Sequence, residues 1–263
     1  HVNDDGVLDL LLAGPKPSWV EFSTNLDPHV RELPSLDEGE SASVVHDWAL
    51  ADFDGDSDLE ALAVRTASPF GQGVVTNDRM IELTPDGPEV GVDWVPEDVG
   101  LRHGFDAISF DEDRDGDIDV YMVHDHGATV GPSTLLINEG DAFVDAADSC
   151  FCSISASAKG VDIADLDRDG QPELFVTGAP LNTLFSRIES GWVDRSDASG
   201  VREGVSLAAG WGAVFFDLEN DGQQDLLLAQ GDRFNPGQTD LPDGRPARFD
   251  EPLRLMAYGN DGF

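Results

Sequence analysis

Positive charge is what this chain lacks most. Lysine occurs twice, at Lys16 and Lys159, and lysine and arginine together number 15 against 53 aspartates and glutamates. The net charge of −38 argues against nucleic acid and anionic membranes as partners, because both would be repelled. Cations, basic proteins and neutral glycans stay open. The shortage of lysine beside arginine fits a salt-adapted source or a GC-rich one, and the sequence does not separate them.

Cysteine is equally sparse, with Cys150 and Cys152 as Cys-Phe-Cys. A zinc site needs about four ligands, and nothing nearby completes one. A disulfide between residues two apart would be strained on a strand, where both side chains point the same way. Two ordinary thiols are the other reading. No run of about 18 apolar residues is present, so no transmembrane helix is expected. Neither a signal peptide nor an initiator methionine is seen, and a start at His1 suggests a processed or excised piece. There is no Asn-x-Ser/Thr sequon, no G-x-S-x-G, no H-E-x-x-H and no phosphate loop.

What is there is apolar enough to fold. Hydrophobic residues make up 40%, and runs such as "LDLLLAG", "DVYMVHD" and "ELFVTG" exclude a disordered acidic chain. The length suits one large domain or two small ones.

The carboxylates are concentrated. "DEDRDGDID" (111–119) packs Asp111, Asp113, Asp115, Asp117 and Asp119 into nine residues. The pattern returns as "HVNDDGVLD" (1–9), "DFDGDSDLE" (52–60), "DLDRDGQPE" (165–173) and "DLENDGQQD" (217–225). Acidic or amide side chains fall at positions 1, 3 and 5, glycine at 6, and Asp or Glu at 9. The fifth positions, Asp5, Asp56, Asp115, Asp169 and Asp221, are 51 to 59 residues apart. A period near 50 residues marks a repeat architecture.

Short apolar segments flank each loop: "DWALA", "DAISF", "VDIA" and "AVFF" before, "LEALAV", "IDVYMV", "ELFV" and "DLLLA" after. They are rich in β-branched and aromatic residues, so each loop joins two strands of a hairpin. A second motif follows in phase: "LLINEGDAF" (135–143), "LFSRIESGW" (184–192) and "LMAYGNDGF" (255–263), with looser copies at 81–90 and 18–30. It reads as a second hairpin. Two hairpins per repeat predict an all-β chain: a β-propeller of four-stranded antiparallel blades with a metal loop in each first hairpin. The units fall at approximately 1–45, 46–103, 104–159, 160–209 and 210–263, forming one domain. Trp48, Phe105, Trp211, Phe215 and Phe216 are expected between blades.

Dense carboxylates repel one another unless a cation sits among them. Ca²⁺ takes six to eight oxygen ligands. Positions 1, 3, 5 and 9 would give side-chain oxygens and position 7 a backbone carbonyl, with glycine at 6 allowing the turn. The candidate ligands are Asn3, Asp5 and Asp9; Asp52, Asp54, Asp56, Asp58 and Glu60; Asp111, Asp113, Asp115, Asp117 and Asp119; Asp165, Asp167, Asp169, Gln171 and Glu173; and Asp217, Glu219, Asp221, Gln223 and Asp225. The first set is weakened by His1 at position 1, and the second carries Ser57 in place of glycine. An EF-hand is excluded, because position 12 is Ala63, Met122, Val176 or Leu228 rather than glutamate. Mg²⁺ suits an all-protein cage less well.

"GVDIADLDRDGQPELFVTG" and "GWGAVFFDLENDGQQDLLLAQG" resemble the FG-GAP/VCBS repeat family, the calcium-loop propeller also found in integrin α-subunit heads. "LLINEGDAFVDAAD" and "WVDRSDASGV" resemble its subgroup of bacterial UnbV-type and animal cartilage acidic proteins. The resemblance implies four or five calcium ions and an extracellular protein. It also implies seven blades where five loops are counted. The chain therefore reads as a propeller truncated at both ends, or as a five-bladed ring.

Function reads first as an extracellular binding or adhesion module for a glycan or protein. Its ligand face would be built from 14–17, 65–73, 124–133, 177–182 and 230–240, opposite the acidic loops. A structural subunit that self-assembles is the second reading. A polysaccharide lyase or hydrolase is the third, resting on His124, Asp125 and His126 with Arg65 and Arg233.

Overall fold

In a computed structural model of the 263-residue chain, the described residues are 7–22, 27–33, 36, 43–67, 78–84, 87–91, 94–100, 102–202, 209–231, 253–259 and 262–263. Among them the protein is all-β, with five antiparallel sheets and two one-turn helices, α1 (Glu97–Gly100) and α2 (Gly127–Val130). The first sheet is β1 (Leu10–Leu12), β2 (Ser18–Phe22) and β3 (Pro28–Glu32). The second is β4 (Ser43–Ala51), β5 (Leu59–Ala67), β6 (Arg79–Thr84) and β7 (Gly87–Val90). The third is β8 (Gly104–Phe110), β9 (Asp119–His124), β10 (Thr134–Asn138) and β11 (Phe143–Asp145). The fourth is β12 (Ser157–Ala164), β13 (Glu173–Ala179), β14 (Thr183–Ile188) and β15 (Gly191–Asp194). The fifth is β16 (Ala209–Phe216), β17 (Asp225–Gly231) and β18 (Arg254–Met256). Within each sheet the strands follow chain order, and each pairs antiparallel with the next.

One apolar core fills each seam between consecutive sheets. Leu62 and Met80 meet Val120 and Leu136 between the second and third sheets. Tyr121 and Leu135 meet Val161 and Leu174 at the next seam, and Phe175 and Leu184 meet Phe215 and Leu226 at the one after. Alternate residues of β9 and β13 thus face opposite seams. This is why those strands are apolar almost throughout and buried along their length. Of the aromatics expected between sheets, Phe215 is buried in a seam, and Trp48 packs against the core between the first and second sheets.

A row of aspartates links the sheets. Asp47 Oδ2 accepts the N–H of Ala107, Asp106 Oδ2 that of Val161, and Asp162 Oδ2 that of Phe215, at 3.1, 3.0 and 2.6 Å. Each carboxylate reaches from the first strand of one sheet to that of the next. Burial, followed by the neighbouring Asp47 carboxyl, pushes Asp106 up to about 8.

The same four strands each carry a β-bulge, at His46, Phe105, Lys159 and Trp211. A bulge re-aims one side chain, and these four converge. His46 stacks on Phe105 at 4.5 Å, and the Lys159 ammonium lies 4.4 Å from the Phe105 ring and 4.7 Å from Trp211. Lys159 is buried and paired with Asp125. Cys150 and Cys152 form a disulfide across a turn, with Phe151 at φ 62° rather than on a strand.

Candidate metal centres

Four acidic loops lie among the described residues, each joining the first and second strands of a sheet. Asn3 and Asp5 lie outside the described residues, and Asp9 immediately precedes β1.

The four loops share one backbone path. Positions 4 and 6 are left-handed in every case: Gly55 and Ser57, Arg114 and Gly116, Arg168 and Gly170, Asn220 and Gly222. In the loop 52–60 glycine has moved to position 4, and Ser57 at φ 81° takes the position that glycine fills elsewhere. The position-5 carboxylate accepts the N–H of position 7 at 2.8 to 2.9 Å, from Asp58, Asp117, Gln171 and Gln223. Asp52, Asp165 and Asp217 at position 1 accept the N–H of position 6, from Ser57, Gly170 and Gly222. These turns hold the carboxylates on the inside of the loop.

Position 9 is buried in all four loops, as Glu60, Asp119, Glu173 and Asp225. Each accepts the N–H of position 2, from Phe53, Glu112, Leu166 and Leu218, at 2.6 to 3.1 Å. Asp119 also accepts from Asn138 N–H at 2.8 Å. Burial pushes Glu60, Asp119 and Glu173 up to about 7; backbone N–H groups pull the other way, and neighbouring loop carboxylates add to the rise.

Three loops bring carboxylate oxygens within 4.8 Å of one another: Asp52, Asp54 and Glu60; Asp111, Asp113 and Asp115; Asp165, Asp167 and Glu173. Asp52 Oδ1 and Asp111 Oδ1 are buried acceptors without a hydrogen-bond donor. A buried carboxylate oxygen with no donor is costly, and a cation among the three oxygens relieves it. The all-oxygen donor set fits a hard cation. In the loop 217–225, Glu219 instead shares a hydrogen bond with Asp225, which raises its pKa first, ahead of burial. Asp58 and Asp117 are not members of these carboxylate groups.

Third-strand residues also border the loops, and the loop motif gave no sign of them. Glu82 stands opposite Glu60 in the sheet and is pushed up by burial, then by Asp54 and Asp56. Asn138 joins two loops: its N–H donates to Asp119, and its Nδ2 to the Phe53 carbonyl at 2.7 Å.

At the other end of the strands, His124 is fully buried, with Nδ1 2.9 Å from the Pro132 carbonyl, and burial lowers its pKa to about 3. Asp125 pairs with Lys159 and Arg65 is buried, whereas His126 is exposed; Arg233 lies outside the described residues. No helix among the described residues is long and apolar enough to cross a membrane.

Residues 111–176 match the model of the FG-GAP-like repeat. No curated protein matches the chain. Among solved structures, the rhamnogalacturonan lyase PL11 of Bacillus licheniformis is 14% identical over 83% of this chain and 43% of its own, with a TM-score of 0.40. The rhamnogalacturonan lyase YesW is 16% identical over 90% of this chain and 45% of its own, at 0.39. An endo-arabinase from Bacteroides thetaiotaomicron VPI-5482 is 12% identical over 94% of this chain and 87% of its own, at 0.40. The chain therefore spans less than half the length of the two lyases. At these scores the likenesses carry no argument about activity.

Proposed function

We propose that the chain is a calcium-binding β-propeller module whose sheets are blades, and that it acts outside the cell as a binding or adhesion module for a glycan or protein. The observation that carries the metal reading is the donorless Asp52 Oδ1 and Asp111 Oδ1 inside repeated carboxylate groups. Calcium is the cation that best suits such a set, since it accepts irregular all-oxygen cages at about 2.3–2.6 Å. The loops 52–60, 111–119, 165–173 and 217–225 would hold one ion each. A fifth site would need Asn3, Asp5 and Asp9. Bound calcium would neutralise the loops and fix the hairpins, leaving the opposite ends of the strands to carry the ligand face. Weak sites, with Kd on the order of 10⁻⁴ to 10⁻³ M, fill only at extracellular calcium levels.

Native mass spectrometry with calcium and after chelation tests this. Four or five ions released by chelator are expected, and a metal-free spectrum at millimolar calcium would overturn the reading. Glycan and matrix-protein arrays probed in calcium then test the ligand class.

Self-assembly is favoured by one observation. The row Asp162, Phe175 and Leu184 of the fourth sheet is covered by the fifth, but the matching row Val214, Leu227 and Leu255 leaves Val214 and Leu255 45% and 49% exposed. The lyase reading loses support, because His124 is buried and neutral and Asp125 is engaged by Lys159.

A further inference from the structure

Position 4 of two acidic loops is an arginine, which offers no oxygen to a metal, yet its side chain has a destination. Arg114 Nη2 donates to the carbonyl of Gly170, position 6 of the next loop, at 3.1 Å. Arg168 makes the matching approach one loop further on: a Cβ built on Gly222, again position 6, would lie 3.0 Å from Arg168 Nη2. The loop 52–60 has Gly55 at this position. The corresponding space beside Gly116 is open, with nothing within 4 Å of a built Cβ. Guanidinium groups therefore run from the loop 111–119 to 165–173, and from 165–173 to 217–225. The loop 52–60 touches the third sheet by another route, through Asn138.

We propose that Arg114 and Arg168 are positioning residues that couple cation loading of the loops 111–119, 165–173 and 217–225. The proposal rests on the calcium reading above. Arg114 lies between Asp113 and Asp115, and Arg168 between Asp167 and Asp169, so ordering a loop around an ion fixes the base of its own arginine. Gly170 lies between Asp169 and Gln171, and Gly222 between Asp221 and Gln223, so ordering the receiving loop fixes the group the arginine meets. Each contact is best formed when both loops are ordered. The ordering cost of the second loop is then partly met by the first, which is positive coupling and must be reciprocal. Direct repulsion between ions in exposed loops opposes it and is weakened by salt.

The experiment is native mass spectrometry of the full chain at subsaturating calcium, reading the distribution of ion counts. For the wild type, species with part of the coupled set filled should be depleted about two- to fivefold per link relative to independent sites, the scale of an exposed charge-assisted contact. Arg114→Ala with Arg168→Ala should return the distribution to that of independent sites, with an unchanged melt in chelator showing the fold intact. Gly55→Arg, at a φ of 76° close to those of Arg114 and Arg168, should draw the loop 52–60 into the coupled set. Equal distributions for wild type and the double variant would overturn the coupling while leaving calcium binding in place. A wild type that binds no calcium would overturn both readings together.

Discussion

Asp106 in β8 accepts the backbone N–H of Val161 in β12 at 3.0 Å, joining two sheets through one half-buried carboxyl. It is the middle member of a row that also includes Asp47 and Asp162. Asp106→Ala leaves the Val161 N–H without its partner and should cost about 1–3 kcal/mol. Asp106→Asn keeps an acceptor oxygen and should cost less. Urea unfolding of the two variants checks this, and an alanine variant as stable as wild type would remove the row from the account of the seams.

Lys159 and Asp125 should behave as a unit. Lys159→Met alone takes the ammonium away from the buried Asp125 carboxylate, at an expected cost of about 3–5 kcal/mol. Adding Asp125→Asn removes that charge and should restore most of the loss. A double-mutant cycle by thermal melting reads the coupling directly.

The buried position-9 carboxyls predict opposite pH trends with and without calcium. Glu60, Asp119 and Glu173 are raised to about 7 in the folded chain, from 4.5 for Glu and 3.8 for Asp. Between those values the folded state holds more protons than the unfolded one, so their contribution is fullest at low pH and is lost as pH rises to about 7. In chelator the melting temperature should therefore fall over that range. Calcium needs the ionised carboxylates, so in excess calcium the melting temperature should rise instead. At a free calcium concentration of 100 Kd each site adds about 2.7 kcal/mol. Parallel pH trends in the two buffers would count against ions at these residues.

Ser57 occupies a left-handed position where the other three loops have glycine. Ser57→Gly should relieve strain and stabilise the chain by about 1 kcal/mol. The same change should tighten calcium binding at the loop 52–60 alone, which site-resolved calorimetry against an Asp54→Ala control would detect.

The repeat, the hairpins and the carboxylate spacing were legible because each is local. A loop that needs oxygens at alternate positions and glycine at a turn writes both into nine consecutive residues, as 111–119 does. Hairpin strands such as β13 announce themselves by β-branched and aromatic runs. The predicted second hairpin at 184–192 appears as β14 and β15 for the same reason. The sheet seams were less legible, because an aspartate such as Asp106 looks like any polar residue in a half-buried strand until the neighbouring sheet arrives.

By itself the sequence determined an all-β chain of repeated hairpins with acidic turns, and the residue types those turns present. Tertiary structure alone decided that His46, Phe105, Lys159 and Trp211 meet, that His124 is sealed from solvent, and that Arg114 reaches Gly170 in the next loop. The reason is range. Turn chemistry and strand patterning act over a few bonds, whereas these contacts join residues more than fifty positions apart or depend on how neighbouring sheets pack.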